Sequence, residues 1–324
     1  MKILIIRYEH IGDYGLVIPM ILAIKKKFPK AKIDLVVGPW NREFAMATPG
    51  INKIIIFDNP LIKKHIKYWE VLRTILLKPK KLREHIRILN QEDYDVMIDF
   101  SDRKFSRYLD RLIYAKKKIL GTKYHYIGER EPVRMARILH NELGISEIPG
   151  KIKMKYSKKD KTLVDVILNC IKGNRIVMHP IAELPEKNWE VNKWIKLIDR
   201  LTKCNENKIL IIGAPNQKEE IAQLIKKCKY RRRVYNLAGR TNVVQSIYLI
   251  AKSKVIIGGD SGPVHWAELT KTPIITLYGP TDEKRWGPPR TQGVALRKGS
   301  HLDDIKLEDI LMEIKKFGKK VAVL

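Results

Sequence analysis

Lys254-Val255-Ile256-Ile257-Gly258-Gly259-Asp260-Ser261-Gly262-Pro263-Val264-His265 is the stretch that decides the fold. A short β-branched run reads as a buried strand, two glycines end it, and Pro263 suits the first position of a helix, where its missing N–H costs nothing. Strand, tight turn and helix in immediate succession are the unit of a parallel α/β sheet. Ser261 and Gly262 then fall around the N-cap. Free N–H groups at that helix start and the positive end of its dipole make an anion site suited to a diphosphate. Asp260 could orient a sugar hydroxyl or cap the helix, and His265 either packs under the loop or touches a ligand.

The same alternation extends both ways from this unit. Strands are expected at Lys2–Arg7, Lys32–Val37, Lys53–Phe57 and Tyr94–Phe100, with a helix at Tyr14–Phe28. A less regular Lys-rich stretch, Gly144 to Gly173, interrupts the pattern. It then resumes with strands at Arg175–Met178, Lys208–Ile212, Val234–Leu237 and Pro273–Leu277, and with helices at Val191–Lys203, Gln217–Lys227 and Val243–Ala251. Two doubly wound, Rossmann-like α/β domains facing a central cleft account for this order, one over 1–155 and one over 156–324. The last helix is expected to pack back on the first domain. In such sheets ligands bind beyond the carboxyl ends of the strands, so the loops leaving strands are the places to search.

Three more such loops carry chemistry. Arg7-Tyr8-Glu9-His10-Ile11-Gly12-Asp13-Tyr14 leaves the first strand; Gly12 allows a tight turn, and Asp13 sits where an N-cap acceptor belongs or where a carboxylate could take a proton from a hydroxyl. No GxGxxG fingerprint is present. His179-Pro180 followed by Glu183-Leu184-Pro185-Glu186-Lys187-Asn188-Trp189 offers Lys187 to neutralise charge on a leaving phosphate. Leu277-Tyr278-Gly279-Pro280-Thr281-Asp282 is dense in turn formers; it is either a plain rigid loop or a cover over a nucleotide with Thr281 on phosphate.

Composition narrows the classes. At 324 residues with 44% hydrophobic and 31% charged residues, the chain is a folded protein of about two domains rather than a disordered one. Its net charge of +29 attracts polyanions without choosing among them, and it is spread over both halves instead of forming a basic tail. Zinc-finger spacing is absent, so specific nucleic-acid binding is not expected. Three widely spaced cysteines, Cys170, Cys204 and Cys228, argue against a disulfide framework. Neither a signal peptide nor an 18-residue apolar run is seen, which points to the cytosol.

Taken together, Gly12-Asp13, His179-Pro180 with Lys187-Asn188-Trp189, Asp260-Ser261-Gly262-Pro263-Val264-His265 and Tyr278-Gly279-Pro280-Thr281-Asp282 resemble glycosyltransferase family 9, the ADP-heptose:lipopolysaccharide heptosyltransferases. The resemblance implies a GT-B fold and an inverting, metal-independent transfer without cofactor, from an ADP-sugar donor to a lipopolysaccharide-core or related glycan acceptor. It implies an acceptor-binding first domain and a nucleotide-sugar-binding second one. Asp13 would be the general base; Lys187 and Ser261 to Val264 would hold the diphosphate, and Asp260 would place the sugar, with His179, His265 and Thr281 beside the donor. The chain departs from the family pattern at Glu190, where Pro usually follows the Trp, and at Tyr14, bulkier than the usual aliphatic residue and able to reshape an acceptor pocket. A non-catalytic nucleotide-sugar or polyanion-binding protein is the alternative.

Two basic stretches stay apart from these loops. In Pro60–Arg87, Ile62, Ile66, Trp69, Leu72 and Leu76 recur at helical spacing beside Lys63, Lys64, Lys67 and Arg73. That pattern suits either packing on the chain's own sheet or peripheral contact with the anionic inner face of the cytoplasmic membrane. Arg103 and Arg107, with Lys104 and Arg111, follow a strand and could grip acidic groups of an anionic acceptor, or form a solvated helix face.

Overall fold

A computed structural model describes residues 1–58, 79–101, 110–150 and 152–317. The chain divides into two compact units, Met1–Lys155 and Tyr156–Leu324. The basic stripe at 62–76 and the pair Arg103 and Arg107 lie outside the described residues.

The first unit holds a five-stranded parallel sheet: β1 Lys2–Ile6, β2 Lys32–Val37, β3 Lys53–Ile56, β4 Val96–Asp99 and β5 Lys117–Leu120, in the order β3-β2-β1-β4-β5. The second holds six parallel strands: β6 Asn174–His179, β7 Asn207–Ile211, β8 Val234–Asn236, β9 Val255–Gly259, β10 Ile274–Leu277 and β11 Gly293–Leu296, in the order β11-β10-β9-β6-β7-β8. In both sheets the direction of winding reverses beside the first strand of the unit, between β1 and β4 and between β6 and β9. Loops leaving those strands diverge to opposite faces and open a crevice at the carboxyl ends.

Alternation along the strands sorts side chains to two faces. In the second sheet Ile176, Met178, Ile209, Ile211, Ile257 and Ile275 pack with Trp189, Trp194 and Leu197 on one side. Val177, Leu210, Ile256 and Ile274 pack with Val164, Leu168 and Leu249 on the other. Each fully buried aliphatic side chain contributes about 1.5–3 kcal/mol of transfer free energy. Both faces are covered, which is why these strands read as unbroken apolar runs.

Among the elements outside the sequence expectation are two strands and two of the longer helices. β5 and β11 are four-residue edge strands. One opens with Lys117-Lys118 and the other with Gly293, so neither carries a full apolar run. The helix Lys158–Asn169 lies inside the stretch read as irregular. Its signal was present: Ser157 and Asp160 form a reciprocal capping box, with Ser157 Oγ accepting from the Asp160 N–H at 3.0 Å. The helix Glu131–Leu143 ends at Gly144, whose φ of 63° is the left-handed conformation of a helix stop. The last described helix, Leu307–Lys316, spends its apolar face on the second unit's own core: Ile310 and Ile314 belong to the cluster around Trp194 and Leu302.

One buried ion pair fastens the carboxyl ends of β4 and β5. Arg134 is held by Glu131 at 2.5 Å and donates to the carbonyls of Phe100 (2.6 Å), Gly121 (3.1 Å) and Tyr124 (3.3 Å). Both side chains are about 1% exposed. Arg134→Met would take from the buried Glu131 carboxylate its ion-pair partner and remove three hydrogen bonds to carbonyls at once. Loss of one partner of a buried pair costs about 3–5 kcal/mol, expected as a lowered urea midpoint for the first unit, followed by circular dichroism.

Candidate functional site

At the winding reversal of the second sheet, His179 ends β6 and pairs across the ladder with Gly258 of β9. A Cβ on Gly259 would lie 2.6 Å from the Lys187 carbonyl oxygen. Only glycine therefore lets the loop carrying Lys187 settle onto the end of β9. That loop is a short 3-10 turn, Pro185–Lys187, tied on its far side. Asn188 Oδ1 accepts from the Ala182 N–H at 2.6 Å, and the Trp189 indole donates to the Ile305 carbonyl at 3.1 Å. Asn188 and buried Trp189 are thus holders of the loop, and Lys187 is what they aim.

Lys187 Nζ donates to Asp260 Oδ2 at 2.5 Å and to the Asp260 carbonyl at 3.2 Å. The other carboxylate oxygen meets His265 Nε2 at 3.1 Å. Burial works against the ionised Asp260, but the His265 hydrogen bond and the charges of His265 and Lys187 outweigh it and hold the carboxyl well below the usual range. For His265, burial would lower the pKa; hydrogen bonds to Asp260 and Glu268, with their charges, prevail and push it up to about 9. His265 is therefore a cationic partner of Asp260. His179 has no such counter-charge, and burial pushes it down to about 4. Its Nδ1 shares a 3.0 Å hydrogen bond with Ser261 Oγ, which also donates to the Gly259 carbonyl at 3.1 Å.

Ser261 is the N-cap of the helix Gly262–Ala267, as expected, but its hydroxyl makes no capping bond. Pro263 is the second helical residue, not the first, because Gly262 already has helical geometry. The Val264 side chain is buried in the apolar core, so only its backbone N–H is available to a ligand. The Thr281 hydroxyl oxygen is buried and makes no hydrogen bond among the described residues, while Asp282 caps the helix Glu283–Trp286.

In the first unit the loop from β1 leads into the helix Ile11–Lys27. His10, not Asp13, occupies the N-cap, and Gly12 lies within the first turn instead of in a tight bend. The loop is too short to delay the helix to Asp13. As the third helical residue, Asp13 still stands in the positive field of the helix start. Its Oδ1 lies 3.9 Å from Arg7 Nη2, and Arg7 Nε lies 3.5 Å from Glu9 Oε2. Tyr14 is fully buried, its hydroxyl 2.6 Å from Thr48 Oγ1 and its ring edge-on to Phe44. It fills core volume and does not line an acceptor pocket. Glu190 stands at the N-cap of Val191–Thr202 without a side-chain capping bond; its N–H is taken by Asp303 at 3.0 Å. Sequence reasoning missed Arg7 and Glu9, although the first strand leads straight into them. A charged pair immediately beyond an all-apolar buried strand was the available signal.

A two-domain parallel α/β protein with a lysine and an uncapped helix start at one reversal and a carboxylate near the other has the layout of a GT-B glycosyltransferase. The sequence profile of Glycosyltransferase family 9 (heptosyltransferase) matches residues 133–313. The chain is 27% identical over 296 residues to lipopolysaccharide heptosyltransferase 3 of Escherichia coli strain K12, covering 86% of this chain and 82% of that one. It is 31% identical over 321 residues to lipooligosaccharide heptosyltransferase 2 of Haemophilus influenzae, covering 92% and 88%. Among solved structures, a family 9 glycosyltransferase from Veillonella parvula superposes with a TM-score of 0.79 at 17% identity, covering 97% and 96%. The Escherichia coli heptosyltransferase WaaC with ADP gives 0.74 at 19%, covering 98% and 99%. The protein belongs to glycosyltransferase family 9 and has the GT-B fold. Among the described residues no helix is long and apolar enough to cross a membrane.

The two histidines give the second unit a bell-shaped stability profile. A raised folded pKa means that the His265 contribution is complete below about 6.5 and is lost as pH rises through about 9. A depressed one means that the His179 contribution is complete above about 6.5 and is lost as pH falls through about 4. His265→Gln is expected to flatten the alkaline decline of Tm and His179→Asn the acid one, read by differential scanning fluorimetry from pH 4 to 10.

Proposed function

We propose that the protein transfers a heptose, or a similar sugar, from an ADP-sugar donor to a lipopolysaccharide-core or related acceptor, with inversion and without a metal. The observation that carries this reading is the convergence of His179, Lys187, Asp260 and the uncapped helix start at Ser261 on the winding reversal of the second sheet. The names of the relatives, lipopolysaccharide and lipooligosaccharide heptosyltransferases, support the sugar and the acceptor class. The structure of a neighbour with ADP supports the nucleotide.

In this reading Asp13 accepts the proton of an acceptor hydroxyl as that oxygen bonds to the anomeric carbon. The carbon–oxygen bond to the diphosphate breaks on the opposite face, and its electron pair leaves with the nucleotide. Charge gathering on the diphosphate is met by the Lys187 ammonium and by the N–H groups of Gly262 and Val264, fixed dipoles that need no reorganisation at the moment of reaction. Asp260 and His265 hold one another in charged form, Asp260 holds the Lys187 ammonium in place, and the Thr281 hydroxyl is available to a phosphate oxygen. The chain works on an acceptor at the inner face of the cytoplasmic membrane, whose anionic surface its net charge of +29 favours.

Asp13→Asn is expected to abolish transfer from ADP-heptose to a heptose-deficient core oligosaccharide while leaving the donor's thermal stabilisation of the protein intact. Retained turnover would remove Asp13 as the base. Lys187→Ala is expected to lower kcat by about 10²–10³, the range for loss of one preorganised charge-stabilising group. A thermal-shift panel of ADP-, UDP-, GDP- and dTDP-sugars tests the donor. Saturable binding with no product in a mass-spectrometric transfer assay would establish a binder instead of an enzyme.

A further inference from the structure

Among the described residues the first unit contains two buried arginines, and they are satisfied very differently. Arg134 makes hydrogen bonds with Glu131 and three backbone carbonyls, as a residue does whose work is to hold strands together. Arg7 is also buried, yet among the described residues its Nε makes no hydrogen bond, and neither does Glu9 Oε2. Its nearest carboxylate oxygens, on Glu9 and Asp13, stand at 3.5 and 3.9 Å, outside good hydrogen-bond geometry. A buried guanidinium left so loosely bound is a poor fastener of the fold. It stands directly beyond β1, beside the winding reversal, where this fold places ligands.

We propose that Arg7 is a positioning residue for Asp13: shared with Glu9 and bound tightly by neither, its guanidinium fixes the orientation and charge of the carboxylate that takes the acceptor proton. The inference rests on Asp13 being the base. One cation between two carboxylates suits a proton acceptor. Before transfer the trio carries one net negative charge, which draws a proton; afterwards Asp13 is neutral and Glu9 still balances Arg7, so no buried charge is left without a partner. Burial works against the charge on Arg7, but Glu9, Asp13, Glu131 and Asp99, in falling order, more than offset it. Of these, Glu131 opens the helix Glu131–Leu143 and is committed to Arg134, and Asp99 ends β4 with one oxygen on the Ser101 N–H at 2.7 Å. His10, the N-cap of the Asp13 helix, and the buried Tyr8 are the remaining titratable groups on the loop.

The test is a ¹³C-carboxyl NMR titration of Asp13 in the full chain, its signal assigned with Asp13→Asn, in wild type, Arg7→Met and Glu9→Gln. Arg7→Met is expected to raise the proton affinity of Asp13 about tenfold, and Glu9→Gln to lower it several-fold, because it removes the competing carboxylate. Opposite displacements from two neighbouring substitutions are not produced by loss of packing. No displacement, or displacement in one direction for both, would overturn the proposal. Should Arg7→Met fail to unfold cooperatively, Glu9→Gln, which keeps the side-chain shape, carries the test alone. In transfer from ADP-heptose, Arg7→Met is expected to lose about 100-fold in kcat through misorientation of the base, with donor KM unchanged and partial recovery in Arg7→Lys. A raised acceptor KM at constant kcat would make Arg7 an acceptor ligand and overturn the positioning role. An active Asp13→Asn variant would overturn the base itself, whereas an inert one beside an unmoved Asp13 titration in Arg7→Met and Glu9→Gln would overturn this inference only.

Discussion

A carboxylate as buried as Asp260 survives as an ion only because each of its oxygens meets a cation, Lys187 on one side and His265 on the other. Removing either would leave a charge in a medium that solvates it poorly. Much of the second unit is arranged to keep that meeting possible. Gly259 lets the Lys187 loop reach the strand end, Asn188 and Trp189 tie it there, and the helix beginning at Gly262 presents His265 within its first turns. The sheet supplies the stage, since Gly258 and His179 are ladder partners on adjacent strands.

The first unit meets a similar problem with opposite signs. There the buried cation is Arg7 and the anions are Glu9 and Asp13, but the fit is looser than at Arg134 in the helix Glu131–Leu143. A tightly satisfied ion pair resists change of any kind. A loosely satisfied one can accept a proton or a substrate at small cost, and such arrangements gather at functional sites.

The fold was legible where physics acts on contiguous residues. β1, β2, β6, β7 and β9 are buried on both faces, so their apolar runs identify them without further context. β5 and β11 are edge strands whose pairing supplies what their composition lacks, and no local pattern marks them. The candidate site was legible as a set of loops: Asp260, Ser261 and Lys187 were picked out by position after strands and by the family resemblance, and the structure brings them together. Their partnerships were not legible. That His265 serves Asp260, that Ser261 turns to His179 instead of capping its helix, and that Asp13 is third in its helix are consequences of contacts 82 residues apart in one case and of a helix start displaced by a few residues in another. Arg7 and Glu9 were passed over because their burial depends on Val36 and on the elements packed around β1, not on their own neighbours in sequence.

The three restraints on the Lys187 loop have a thermodynamic corollary. A lysine arm on an unrestrained surface loop surrenders both backbone and rotamer freedom when it captures an anion, a loss of about 1–2 kcal/mol for each part. Here the indole bond to Ile305, the Asn188 bond and the contact with Gly259 impose that order while the chain folds. Ligand capture by Lys187 is therefore relieved of most of its entropic burden, and calorimetry of donor binding should register an unusually small ordering cost for so flexible a side chain.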